Sequence, residues 1–191
     1  MKPASNKRIE VEFRSIFKEN KYNELKKFLS SRSEDLGEDN KDVYFFLFPD
    51  KLLKVVNNLT RKTAKLVLKL NRIGKGSDFE EIEIPIKPED TNSAVKIFTS
   101  LGFTEMQNTY QKRHNYLYQG VELALKYSNT WGYHLELEIV VSDQKKVPEA
   151  SNQIKKVANE LGVTLMTEPE LAAFVKEVDA NYKKGVYDKR G

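Results

Sequence analysis

Ile9-Glu10-Val11-Glu12-Phe13-Arg14 alternates hydrocarbon and charge at every step. On a pleated strand successive side chains point to opposite faces, so Ile9, Val11 and Phe13 share one side and Glu10, Glu12 and Arg14 the other. The same parity returns in Glu81-Ile82-Glu83-Ile84 and in Glu136-Leu137-Glu138-Ile139. If the sheet is open, its ionic side is simply solvated. If it closes on itself with the charges inward, helices must cover the oily exterior. The buried carboxylates are then tolerable only where cations match them. Lys54, Lys65, Lys69, Arg113 and Lys126, together with Arg14, supply such cations at strand positions.

Outward from these strands the pattern predicts an α+β fold. Residues 21–31 place Tyr22, Leu25, Phe28 and Leu29 on one helical stripe, with Asn20 as its cap. Period-two runs follow at 43–48, 52–56, 64–71 and 79–86, separated by Pro49-Asp50, Asn57-Asn58 and Gly74-Lys75-Gly76. That last glycine pair precedes a strand, not a helix, and reads as a turn, not a phosphate loop. A helix is expected over 91–101, capped by Thr91 and stopped by Gly102. Long strands at 104–118 and 121–127 join at Gln119-Gly120, and another strand spans 133–141. Helices are expected at 147–161 and 169–184, the second opened by a Thr167/Glu170 capping box. Their apolar stripes, Ile154, Val157, Ala158 and Leu161, then Leu171, Phe174, Val175 and Val178, face a core. The acidic cluster Glu34, Asp35, Glu38 and Asp39 around Gly37 reads as a solvated loop.

The 191 residues, 39% hydrophobic and 31% charged, suit one domain over 9–184 with flexible ends at 1–8 and 185–191. With no cysteine, disulfides, thiolate zinc sites and cysteine nucleophiles are excluded. A net charge of +4 admits anionic partners without selecting one. Residues 1–8 lack the apolar run of a signal peptide and no stretch is long enough to span a membrane. A cytoplasmic location without a membrane partner is therefore expected. His114 and His134 are too few for a zinc site, though His134 shares parity with Glu136 and Glu138 and is a candidate proton carrier. Trp131 reads as a packing anchor at the rim.

The ordered elements Glu10-Val11-Glu12-Phe13-Arg14, Leu66-Val67-Leu68-Lys69, Glu81-Ile82-Glu83, Lys112-Arg113, Trp131-Gly132 and Glu136-Leu137-Glu138 resemble the CYTH, or triphosphate tunnel metalloenzyme, superfamily. The later half is most similar to its class IV adenylate cyclase branch. The resemblance implies a closed eight-stranded antiparallel β-tunnel with helices on its outer face. It implies metal ligands at Glu10, Glu12 and Glu138, with Glu136 a further candidate, for Mg²⁺ or Mn²⁺. It implies phosphate binders at Lys54, Lys69 and Arg113, with Arg14 where the signature has Lys, and an acidic tunnel position at Glu83. The chain departs from the pattern at Val56, where a second cation is usual, and at Lys126, where an Asp is common.

The expected partner is a small molecule carrying a triphosphate, such as ATP or tripolyphosphate; a nucleic acid enters only as an RNA 5′-triphosphate end. Glu10, Glu12, Glu138, Arg113 and Lys69 are the implied catalytic set, and Arg14, Lys54, Lys126 and Glu83 complete the substrate site. Two reactions suit these residues: hydrolysis of a terminal phosphate, or closure of ATP to cyclic AMP and pyrophosphate. The alternative is an impaired module that only binds the triphosphate, as a monomer or a homodimer.

Overall fold

A computed structural model describes residues 9–70, 78–79 and 81–187. The Gly74-Lys75-Gly76 turn, the end at 1–8 and residues 188–191 of the expected tail lie outside these. The strands are β1 (Ile9–Phe17), β2 (Glu34–Glu38), β3 (Lys41–Leu47), β4 (Leu52–Asn58), β5 (Thr63–Lys69), β6 (Asp78–Phe79), β7 (Glu81–Ile86), β8 (Met106–Tyr118), β9 (Val121–Ser128) and β10 (Gly132–Val141). The helices are α1 (Glu19–Arg32), α2 (Thr91–Ser100), α3 (Val147–Glu160) and α4 (Glu168–Lys183).

All pairing is antiparallel and runs β6-β1-β10-β9-β8-β3-β4-β5-β7, with β2 attached only to β8. The two ends of that path, β6 and β7, are separated by a single residue of chain. One interrupted strand therefore stitches β1 to β5, and the curled sheet returns on itself. Taking β6 with β7 and setting β2 aside, the ring has eight members, the α+β tunnel that the family resemblance implies.

Closure fixes which face is oily. Val11, Tyr116, Leu123, Leu125, Leu135 and Leu137 point outward and are fully buried against Leu25 and Leu29 of α1 and Ile154, Val157 and Ala158 of α3. Each such side chain contributes about 1.5–3 kcal/mol of burial. Phe46, on the outer face of β3, meets Phe98 of α2 edge to face at 5.3 Å. The β8–β9 hairpin turns through Gln119 (φ 49°) and Gly120 (φ 76°), the pair of positive φ values of a type I′ turn matched to strand twist. At the end of α3, Gly162 adopts φ 60° and lets Val163 donate back to the Ala158 carbonyl.

Several local expectations are corrected. α1 begins earlier than its apolar stripe, so Asn20 lies inside it and Lys18 stands at the cap without a side-chain bond. Asp90, not Thr91, caps α2, because a short 3₁₀ turn over Pro88–Asp90 leads into it and the Thr91 hydroxyl donates to the Pro88 carbonyl. The Thr167/Glu170 capping box forms as the spacing predicts. The acidic cluster is solvated at Glu34, Asp35 and Glu38, but it is a strand instead of a loop and its last member is buried. Glu34–Glu38 is strand β2, and Asp39 is 4% exposed. Asp39 pairs with Lys41 at 2.6 Å, Arg61 at 3.3 Å and Arg113 at 3.4 Å, and accepts hydrogen bonds from Asn58 and Asn115. A charge-rich stretch hides this, because burial of one member depends on cations brought from β3 and β8. Removing one partner of a buried ion cluster leaves the others unpaired, so Asp39→Ala should cost about 3–5 kcal/mol in urea unfolding, whereas Glu34→Ala should leave the midpoint nearly unchanged.

Candidate active site in the barrel lumen

One cavity of about 240 Å³ is lined by the side chains that parity assigned to the inner face. β1 gives Glu10, Glu12 and Arg14; β10 gives His134, Glu136 and Glu138; β9 gives Lys126; β8 gives Arg113. From the far side come Lys54 of β4, Lys65 and Lys69 of β5, and Glu81 and Glu83 of β7. Lys41, Gln107, Thr109, Gln111, Thr130 and Asp179 also line it, and sequence reading passed over them. Lys41 precedes the expected start of β3, and Asp179 sits on α4, whose stripe gives no hint that it meets the lumen. Gln107, Thr109 and Gln111 share the parity of Arg113 and were legible on that ground alone.

Glu136 is the centre of a cationic pole. Its Oε1 accepts from Lys126 Nζ at 3.0 Å and Arg14 Nε at 3.3 Å, and its Oε2 from Arg113 Nη1 at 3.5 Å. Burial alone would raise this carboxyl, yet Lys126, Arg14 and Arg113 hold it well below the usual range. Burial, followed by Arg113 and Arg14 alongside, brings Lys126 down to about 8 despite its bond to Glu136. Next to it, burial and the Lys126 charge push His134 down to about 3, so the ring is neutral. Its Nδ1 lies 3.0 Å from the Gly132 carbonyl, which can only accept, so Nδ1 carries the hydrogen and Nε2 the lone pair. His134 is thus an acceptor and not, at neutral pH, a store of protons. Trp131 lies beneath the Arg14 guanidinium at 5.7 Å and meets Phe174 of α4 edge to face.

Two residues further along β10 the electrostatics invert. Glu138 stands directly opposite Glu12 of β1 and Glu122 of β9. Burial, then Glu10, Glu12 and Glu122, raise Glu138 to about 8. Lys69 reaches toward this acidic pole, 2.6 Å from Glu81, 3.5 Å from Glu12 and 3.6 Å from Glu10. Burial would lower its ammonium, but Glu12, Glu81 and Glu10 raise it. Lys54, 3.8 Å from Glu81, is instead lowered to about 8 by burial and by Lys69. Lys65 pairs with Glu83 nearer the surface.

The sequence matches the CYTH domain over residues 8–167. The chain belongs to the CYTH family. No curated protein sequence matches it. Among solved structures it is similar to a conserved hypothetical protein from Pyrococcus furiosus, at 27% identity and a TM-score of 0.65 over 81% of this chain and 91% of that one. It is also similar to a candidate adenylate cyclase from Vibrio parahaemolyticus, at 16% identity and a TM-score of 0.62 over 85% and 91%. A candidate adenylyl cyclase from Hippeastrum, described as having a dominant triphosphatase activity, aligns at 16% identity and a TM-score of 0.58 over 83% and 89%. The CYTH match ends before α4, so the residues that this helix adds to the cavity lie beyond it.

CYTH membership implies use of a divalent metal, and the acidic pole supplies hard oxygen donors of the kind Mg²⁺ and Mn²⁺ prefer. Among the described residues no three carboxylates or imidazoles already converge as ligands. Arg14 and Lys69 hold Glu12, and Lys69 lies toward Glu10. Glu10, Glu12 and Glu138 nonetheless fit a cation, since burial and then the repulsion of Glu10 and Glu12 keep Glu138 protonated. The raised carboxyl makes the apo barrel lose stability as pH rises through about 8, because the native state holds a proton that the unfolded chain gives up near the ordinary carboxylate value. Mn²⁺ titrated at pH 7 in buffers of different ionisation enthalpy should therefore release close to one proton. Glu138→Gln should abolish that release and flatten the pH dependence of the melting temperature.

Proposed function

We propose that this CYTH protein binds a triphosphate inside its barrel and hydrolyses the terminal phosphate with the help of Mg²⁺ or Mn²⁺. The observation that carries this reading is the pairing of a cationic pole around Glu136 with an acidic pole around Glu138 across one cavity. Arg14, Arg113, Lys126, Lys54 and Lys69 are suited to hold phosphate oxygens and to neutralise charge growing on the leaving group. Glu136 is committed to three of those cations. It positions them and leaves metal ligation to Glu10, Glu12 and Glu138. A bound divalent ion would polarise the phosphoryl group and orient the attacking water. His134 offers a neutral acceptor at Nε2 beside the cationic pole.

Closure of ATP to cyclic AMP would use the same poles but needs room for a nucleoside. The 240 Å³ cavity falls just below the ~300–1,000 Å³ usual for ligand pockets. That space favours hydrolysis of a shorter molecule. The same fold in the Hippeastrum protein goes with triphosphatase activity. The second reading, a binding module, is favoured by the fact that Arg14, Lys41, Lys54, Lys65, Lys69, Arg113 and Lys126 all have carboxylate partners within the protein. A ligand must then displace these partners.

Phosphate release from tripolyphosphate and from small triphosphate esters with Mn²⁺ separates the readings. Turnover that falls at least about a hundredfold in Glu12→Gln and Glu138→Gln is expected. Measurable triphosphate binding without turnover would leave only the binding module. The pH profile carries a second expectation. Metal binding weakens as Glu138 gains its proton below about 8, and phosphate binding weakens as Lys54 and Lys126 lose theirs above about 8. kcat/KM, which reports the free enzyme, should be bell-shaped with its maximum near that value.

A further inference from the structure

Along one edge of β8 the pairing partner changes midway. β3 pairs with residues 106–111 and β2 with residues 114–117, so Lys112 and Arg113 lie beside the link between those two strands. That link, Asp39-Asn40, grips Arg113 by its backbone. The Asp39 amide donates to the Arg113 carbonyl at 2.8 Å, and the Arg113 amide donates to Asn40 Oδ1 at 3.0 Å. The side chain is gripped as well: Arg113 Nε donates to Asn115 Oδ1 at 2.7 Å and lies 3.4 Å from Asp39 Oδ2. Its terminal nitrogens are held more loosely, 3.5 Å from Glu136 and 3.8 Å from Glu122.

Asp39 is not among the side chains that line the cavity, yet two of its cationic partners are. Its Oδ2 is shared by Lys41 at 2.6 Å and by Arg113, whereas its Oδ1 serves Asn58 and Arg61. One oxygen thus draws two lumen cations together against their own repulsion. Burial and the Arg113 charge lower the Lys41 ammonium, and Asp39 opposes both. A ligand that takes Glu136 away from Arg113 leaves Asp39 in place behind the guanidinium. The Lys41 ammonium has three N–H groups and so keeps donors beyond the one given to Asp39. Long cationic side chains lose rotamer freedom when a phosphate fixes them, and a carboxylate behind them imposes that loss before the ligand arrives.

We propose that Asp39 is a positioning residue that holds Lys41 and Arg113 together as a two-cation clamp on one phosphate of the ligand. This rests on the triphosphate reading above and adds Lys41 to the residues that bind. The break between β2 and β3 serves the clamp, because it lets a single carboxylate reach a side chain of β3 and a side chain of β8 at once. Arg61 marks the limit of the device. It pairs with the other oxygen of Asp39, is largely exposed and does not line the cavity.

Calorimetric titration of tripolyphosphate with Mn²⁺ into Asp39→Asn, Lys41→Met and the double variant tests this. Each single change is expected to weaken binding at least about tenfold, the worth of one charge-assisted hydrogen bond. The double variant should fall well short of the product of the two, because Asp39 acts through Lys41. Arg61→Ala removes an exposed ion pair of the same carboxylate and should leave the affinity unchanged. Lys41→Met keeps Asp39 bonded to Arg61, Arg113, Asn58 and Asn115, so it decides the matter even where Asp39→Asn fails to fold. Full affinity in Lys41→Met, multiplicative losses in the double variant, or an Arg61→Ala loss as large as that of Asp39→Asn would overturn the proposal. Exchange of the Arg113 Nε–H with water, followed by NMR in the ligand-free protein, separates the two readings. It should be slow in the wild type and fast in Asp39→Asn. Failure of the wild type to bind any tripolyphosphate with that proton protected would overturn the triphosphate reading and the clamp's ligand with it. An unprotected proton beside normal binding would overturn the positioning role alone.

Discussion

The structure depends on keeping ionised side chains inside a barrel and hydrocarbon outside it. Desolvating one unpaired carboxylate costs several kcal/mol, so the arrangement holds only because charges are placed against one another at hydrogen-bonding distance. Glu136 is the clearest case, since both of its oxygens are shared among Lys126, Arg14 and Arg113. Asp39 does the same outside the cavity's carboxylate row, tying β3 and β8 through Lys41 and Arg113. Remove the carboxylate at either node and the cations repel. The fold and the site thus draw on the same ion pairs.

At the acidic pole this matching fails, and the failure is informative. Glu12, Glu138 and Glu122 lie across from one another on three consecutive strands, and Lys69 with Arg14 cannot neutralise them all. The protein answers by protonating Glu138. A carboxyl that burial and anionic neighbours together keep protonated gives up that proton to a bound cation. Two glutamates on one strand, Glu136 and Glu138, are therefore in opposite states because of what stands opposite them, not because of their own burial. Glu136 faces Arg14 across the strands and Glu138 faces Glu12.

How far the sequence discloses this follows from the range of the interactions involved. Parity is local. Whereas Lys54, Lys69 and Arg113 were pointed to by the family resemblance, Glu10, Glu12 and Arg14, and likewise Glu136 and Glu138, could be grouped on one face from two or three neighbours in the chain. Gly120 and the Thr167/Glu170 box were legible for the same reason. Asp39 was not, because nothing within its own segment distinguishes it from Asp35, which is exposed and bonded to His114. Its burial comes from strands that meet it only after the sheet closes. The difference between Glu136 and Glu138 was equally hidden, being a matter of cross-strand register, which parity does not specify.

The helix α4 marks where pattern reading changes meaning. Its stripe of Leu171, Phe174, Val175 and Val178 looks like any packing face, and Leu171, Val175 and Val178 are indeed buried. Apolar periodicity says that a face is covered, not by what. Here two of its valines border the lumen, and Tyr182 fixes the helix by accepting from the Asn108 backbone amide at 2.9 Å. A ring of charged strands alone would enclose a cavity suited to any polyanion. On β3, β4 and β5 the inner face instead interleaves Val43, Phe45, Val56 and Val67 with Lys41, Lys54, Lys65 and Lys69, so the wall that α4 borders offers apolar and cationic groups side by side.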